Sequence, residues 1–294
     1  MHKLNGADSS CVHRRDGLVT YLWHGSCLEL SHPLLQENSV QHKVTQKIVL
    51  AALAVSGAAF AQTTAAPEPD YTFSSNLGVV SDYRYRGISQ TARKPALQGG
   101  VDFAHKSGFY VGTWASTIRW IKDSAPGLKG PLEVDVYGGY KGTITDTFSF
   151  DVGGLQYWYP RNNLENLTGE DANTFELYGA LTAGPATVKY SHSLTHLFGA
   201  PNSKGSGYLD LSATFDLGDG YSVVPHVGWQ RIRNFGTYMD YSVSVAKDFS
   251  GFVVSAGVVG TNWKSHFGFP YTLPGSGTRD LGKAGLVVGV KKTF

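Results

Sequence analysis

Residues 238–254 read YMDYSVSVAKDFSGFVV. Tyr241, Val243 and Val245 alternate with Asp240, Ser242 and Ser244, a turn follows at 248–251, and a second alternating run starts at Phe252. A period of two with apolar residues on one side is a β-strand with one dry face. A helix repeats every 3.6 residues and cannot sustain that pattern. Outward from this hairpin the alternation recurs in about twelve stretches between Tyr71 and Phe294.

The first stretch places Tyr71, Phe73, Leu77, Val79, Tyr83 and Tyr85 on one face and Thr72, Ser74, Asn76, Asp82, Arg84 and Arg86 on the other. The others start near Ala96, Phe109, Leu132, Phe148, Thr174, Ala186, Tyr208, Tyr221, Tyr238, Phe252 and Lys283. Connections after even strands are short, at 106–108, 142–147, 182–185, 217–220 and 248–251. Those after odd strands are mostly longer, at 87–95, 121–131, 160–173, 195–207, 231–237 and 262–282. An even strand number with short turns at one end and long loops at the other is outer-membrane topology. The sequence therefore predicts an all-β fold, a transmembrane antiparallel up-and-down β-barrel of about 12 strands.

Aromatics gather at both strand ends. Tyr71, Phe73, Phe109, Phe148, Tyr221, Phe252 and Phe294 lie on the turn side, and Tyr83, Tyr85, Trp120, Tyr157, Trp158, Tyr159, Trp229, Tyr238 and Trp263 on the loop side. They are expected to form two girdles at the headgroup levels. A soluble sandwich or propeller also alternates, but a propeller blade fits four short strands into about 40 residues, where this chain has two long ones.

The N-terminus reads as an export signal. Lys43 and Lys47 precede IVLAALAVSGAAF at 48–60, and Ala59-Phe60-Ala61 has the small-x-small form of a cleavage site. The apolar run is too short for a membrane helix, which needs about twenty residues. Residues 44–61 are expected to be a cleaved signal, 62–294 the barrel, and 1–43 an extension from a mis-assigned start, with Val44 the true initiator. Both cysteines, Cys11 and Cys27, fall in that extension, so the mature chain has no thiol chemistry. Of 25 Lys and Arg and 23 Asp and Glu, 5 and 4 lie before residue 62, which leaves a net charge of +1. That balance argues against nucleic acid, which needs a concentrated basic face.

The stretches SDYRYRGISQ at 81–90, KPALQGGVDF at 94–103 and SGFYVGTW at 107–114 carry a further signal. Their Ser81, Asp82, Tyr83, Arg86, Gly87, Gln98, Gly99 and Gly100, with Ser89, Gln90, Pro95, Ala96 and the run 108–112 to Trp114, resemble the N-terminal signature of the TorF family of proteobacterial porins. The resemblance implies an envelope barrel with a pore and supplies no substrate. The terminal Phe294 resembles the signal read by the outer-membrane assembly machinery, although Lys292 stands where an apolar residue is usual.

Strand parity sorts the charges. Asp82, Asp102, Glu133, Asp135, Asp151, Glu176, Asp210, Asp216 and Asp240 face inward, with Arg84, Arg86, Lys141, Lys189, Lys283 and Lys291. The interior is thus slightly acidic. Apart from Asp216, Lys283 and Lys291, these are the candidate pore-lining residues. Asp82, Arg84 and Arg86 are expected to meet Gln98, Gly100 and Asp102 across the pair of strands, and an Asp–Arg pair among them is most simply a neutralising bracket. Outer loops and rim carry 11 basic against 5 acidic residues, a charge that suits lipopolysaccharide phosphates. Gly99 and Gly100 suit close strand approach or a bulge and lack the spacing of a phosphate loop.

No catalytic, cofactor or metal site is expected. Ser191 and Ser193 point away from His192, and His192 and His196 lie over about 12 Å apart along a strand. The remaining histidines, His226 included, read as scattered interfacial residues. The expected function is a narrow passive channel for small solutes with a modest cation preference. The alternatives are a closed structural or adhesin-like barrel acting through its loops and, behind it, an outer-membrane lipid hydrolase. The aromatic loop 262–282 is expected to fold across the mouth.

Overall fold

A strand with one apolar face is stable in a bilayer only if its backbone groups are all paired, which forces the sheet to close. The computed structural model describes residues 69–263 and 280–294 and has that closure. Its barrel strands are β1 (Tyr71–Val80), β2 (Ala96–His105), β3 (Phe109–Thr117), β4 (Leu132–Thr143), β5 (Phe148–Trp158) and β6 (Thr174–Ala183). They continue as β7 (Ala186–Ser193), β8 (Gly207–Ala213), β9 (Tyr221–Ile232), β10 (Gly236–Phe249), β11 (Phe252–Thr261) and β12 (Gly285–Thr293). The short piece Phe215–Gly218 prolongs β8 past an irregularity, with a register shift between Asp216 and Gly218. Every strand pairs antiparallel with its sequence neighbours, and β12 returns to β1, so the sheet is a ring of twelve.

Apolar residues stand outward along every strand. Val79, Leu97, Leu177, Val243 and Val258 are each about half exposed on the outer wall, and Leu286 more so. In a soluble protein such a belt would be a severe aggregation liability, whereas in a bilayer it is the lipid contact. Ten residues at about 3.3 Å each, tilted by about 40°, climb roughly 25 Å, the height of an outer-membrane apolar band. The protein is an outer-membrane β-barrel. A closed ring has no edge from which to unravel, so the unboiled protein should migrate faster on a denaturing gel than the boiled one. Equal mobility would argue for an open, soluble sheet.

Turns and loops segregate as expected, with one exception. The connection between β9 and β10 is only three residues, 233–235, because these two strands stay paired up to Ile232 and Gly236. Glycines in β2 accommodate close neighbours without a bulge: a Cβ on Gly99 would lie 3.0 Å from Asn76 O, and one on Gly100 2.8 Å from Thr113 O. Pairing runs in register through both positions.

The main departure from expectation concerns β1. It stops at Val80, so Tyr83 and Tyr85 do not face lipid, and Asp82, Arg84 and Arg86 are not wall residues. The 81–95 segment instead turns inward and forms a small hairpin, Arg84–Tyr85 against Ile88–Ser89, inside the barrel. Several other aromatics assigned to the loop-side girdle follow it. Trp120, Tyr157, Tyr159, Tyr238 and Trp263 are buried, while Trp158 and Trp229 remain on the outer wall. Alternation could not reveal this, because an inward loop and an outward strand can share one polarity pattern. The mouth-covering loop expected at 262–282 lies largely outside the described residues.

Candidate functional site

The inner hairpin begins with a backbone choice. Arg86 and Gly87 both have positive φ, 45° and 76°, the two-residue turn whose twist suits a tight antiparallel pair. Gly87 is required twice over: a Cβ there would strike the Thr261 side chain and come within 2.7 Å of the Asp240 Cβ. The hairpin tip therefore touches the barrel wall. Arg86 holds a conformation that non-glycine residues seldom adopt, and its surroundings explain why it stays there.

Its guanidinium donates to Glu176 Oε2 at 2.7 Å and to Gln230 Oε1 at 2.5 Å. It also lies over the rings of Tyr208 and Tyr85, at 4.3 and 4.8 Å from their centroids. The Arg86 and Glu176 side chains are 6% and 3% exposed, so the pair is buried. One arginine thus links β6, β9 and the hairpin. Arg84 donates to Asp82 at 2.6 Å and to the carbonyls of Leu281 and Lys283 at 3.1 Å. Tyr83 donates to Glu133 at 2.6 Å, and the hydroxyls of Tyr85 and Tyr157 are 2.8 Å apart. The bracket anticipated between Asp82 and an arginine exists, though within the hairpin rather than between strands.

On the outer side of the hairpin the bore is filled. Ile88, Ile121, Leu164, Phe198 and Leu281 form a buried apolar cluster drawn from the hairpin and several outer loops. Phe198 meets Tyr157 and Tyr85 edge-on at 5.1 and 5.4 Å. Each large side chain taken from water here contributes about 1.5–3 kcal/mol.

The rest of the lumen is polar and open. Two cavities of about 370 and 440 Å3 share Leu155 and Lys189 in their linings. The first holds Arg84, Arg86, Asp210, His226 and Asp240. The second holds Asp135, Lys141 and Asp151 among aromatic rings. Asp102 accepts a bond from Tyr137 at 2.5 Å, Asp151 accepts one from Tyr110 at 2.5 Å, and Lys141 lies 3.8 Å from Asp151. Lys189 sits 4.0 Å over the Tyr178 ring. Of the candidate pore-lining residues, Arg84, Arg86, Asp210 and Asp240 line the first cavity, Asp135, Lys141 and Asp151 the second, and Lys189 both; Asp82, Glu133 and Glu176 are instead buried against the hairpin segment, and Asp102 is bonded to Tyr137.

His226 is a correction. It is not interfacial but lies in the lumen, its Nε2 at 2.8 Å from Asp210 and its Nδ1 at 3.6 Å from Asp240. Parity within β9 carries the signal, because His226 alternates with Val227 on the same side as Gly228 and Gln230.

A family described as "Bacterial protein of unknown function (Gcw_chp)" matches residues 64–294. The chain belongs to the Gcw_chp family. The family shown is therefore Gcw_chp rather than TorF. No curated protein matches the sequence. Among solved structures, this Gcw_chp barrel is similar to "KdgM porin" at TM-score 0.49 and 9% identity, covering 75% of this chain and 99% of that one. It is also similar to a NanC porin structure at 0.45 and 8%, covering 76% and 99%. A third is the "TodX deltaS2S3 mutant monoaromatic hydrocarbon channel", at 0.45 and 9%, covering 76% and 90%.

Proposed function

We propose that this Gcw_chp protein is an outer-membrane channel for small solutes, constricted by its own inner hairpin. The observation that carries this reading is the pair of adjoining polar cavities, about 370 and 440 Å3, on one side of that hairpin. A barrel with only a structural role has no need of so much charged, unfilled volume; eight-stranded barrels fill theirs with side chains. Export behind residues 44–61 and recognition of Phe294 by the assembly machinery complete the proposal, and the basic outer rim suits lipopolysaccharide phosphates.

The charge of the bore gives the direction of selectivity. Asp82, Asp102, Glu133, Asp135, Asp151, Glu176, Asp210 and Asp240 outnumber Arg84, Arg86, Lys141 and Lys189, with His226 between two of the acids. A lumen with surplus carboxylates concentrates cations. Purified protein in a planar bilayer should give small conductance steps, and a salt gradient should give a reversal potential of cation-selective sign. A clear anion preference would overturn the selectivity. The buried apolar cluster at the outer end favours a second reading, a barrel shut to ions and working through its loops. Absence of any conductance from both the intact protein and a variant lacking residues 84–89 would select it.

A further inference from the structure

Three carboxylates cluster on the lumen wall: Glu133 and Asp135 from β4, and Glu176 from β6. Two are answered. Glu133 accepts from Tyr83, and Glu176 accepts from Arg86. Asp135 is not: its Oδ1 is buried without a hydrogen-bond partner among the described residues, and the residue is only 9% exposed. A secluded carboxylate with neither donor nor cation beside it is costly unless something supplies the opposite charge.

Its neighbours indicate what does. Asp135 lies directly across from Trp114 on β3 and from Tyr157 on β5. Trp114 packs edge-on against Tyr83 with ring centroids 5.4 Å apart, and both line the 440 Å3 cavity that Asp135 faces. That volume lies in the usual range for small-molecule sites. The cavity's own lysines demonstrate its chemistry: Lys141 and Lys189 hold their ammonium groups over the rings of Tyr110 and Tyr178, at 4.6 and 4.0 Å. Both bases are thereby engaged, which leaves Asp135 as the cavity's carboxyl group with no cation beside it. Asp135 and Asp151, the latter already held by Lys141 and Tyr110, cannot supply the six or more oxygens that calcium or magnesium needs. Ring faces beside an acid are instead the environment that takes up alkylated ammonium ions.

We propose that the lumen holds a binding site for a small organic ammonium ion, with Asp135 as its counter-charge and Trp114 and Tyr83 as its aromatic walls. The site rests on the channel reading for the route by which the cation arrives, but binding is measurable on a barrel that conducts nothing. The Lys141 side chain, 63% exposed, marks where the cavity reaches solvent near the β4–β5 turn.

Calorimetric titration of the detergent-solubilised protein with choline chloride tests it, with the uncharged isostere dimethylbutanol as the comparison. Choline should bind saturably and at least tenfold more tightly than the isostere, and Asp135→Asn should weaken choline by at least tenfold. The choline-to-isostere comparison uses the unaltered chain, so it stands even where Asp135→Asn fails to assemble. No saturable choline binding, or equal binding of the two probes, would overturn the site. Choline binding without conductance would overturn the channel reading alone, and conductance without choline binding the site alone.

Discussion

Arg86→Ala should release the inner hairpin and raise the conductance of an otherwise intact barrel. The substitution removes two charge-assisted hydrogen bonds and two ring contacts. More costly is what remains: a Glu176 carboxylate with a 3% exposed side chain and no cation beside it. Breaking a buried pair from one side costs about 3–5 kcal/mol. Burial of Ile88, the hairpin's one large aliphatic residue, returns only about 1.5–3 kcal/mol, so the tip should leave the wall. The twelve-strand ladder does not depend on it. Heat-dependent gel mobility should therefore persist, while trypsin gains access after Arg84, which the unaltered chain buries. Adding Glu176→Gln should restore much of the protection, because the stranded charge is gone. Unchanged conductance together with unchanged protease resistance would show that Arg86 does not hold the hairpin.

Val243→Arg should destabilise the barrel by about 2–4 kcal/mol, the cost of a charge facing lipid near the midplane. Val243 lies in the middle of β10, is 55% exposed on the outer wall, and pairs with Pro225 and Val258. Its neighbour Ser242 faces the lumen and lines the first cavity. Ser242→Arg should leave urea-induced unfolding in vesicles nearly unaffected and alter conductance and its selectivity instead. The contrast between adjacent residues is the test of the inside–outside assignment. Equal loss of stability from both would refute it. Leu132 is not a suitable partner for this experiment. It starts β4 opposite Thr117 at the loop end, away from the midplane.

Alternation made the wall legible: the faces of Val243 and Ser242, of Val79 and Gly78, and of Glu133 and Leu132 all follow from parity. The charged lumen followed too, because a carboxylate on the polar face of a barrel strand has nowhere else to point. The hairpin was not legible. Residues 82–86 resume the alternation of β1 after a slip at Val80 and Ser81, which hides that the chain has left the wall, and positive φ at Arg86 and Gly87 reverses it inside the barrel. That conformation is selected by contacts with Glu176 and Gln230, 90 and 144 residues away. The same limit hid the role of Tyr157, Trp120 and Tyr159. An aromatic at a strand end suits a headgroup girdle and an inner cluster equally well, and the choice is made by where the loop goes.

The spread of the hairpin's partners has a consequence for biogenesis. They lie at Glu133, Tyr157, Glu176 and Gln230 and in the carbonyls of Leu281 and Lys283. The last of these precede the final strand, whose seam with β1 has five paired residues against ten between β1 and β2. Contacts so distant along the chain form late, after the entropy of very long loops has been overcome. A chain that has not yet placed the segment before its last strand lacks the Leu281 and Lys283 carbonyls, so the hairpin's berth is incomplete until then. Seating is therefore a built-in report of completed assembly, and a protease that cuts after Arg84 distinguishes finished rings from unfinished ones.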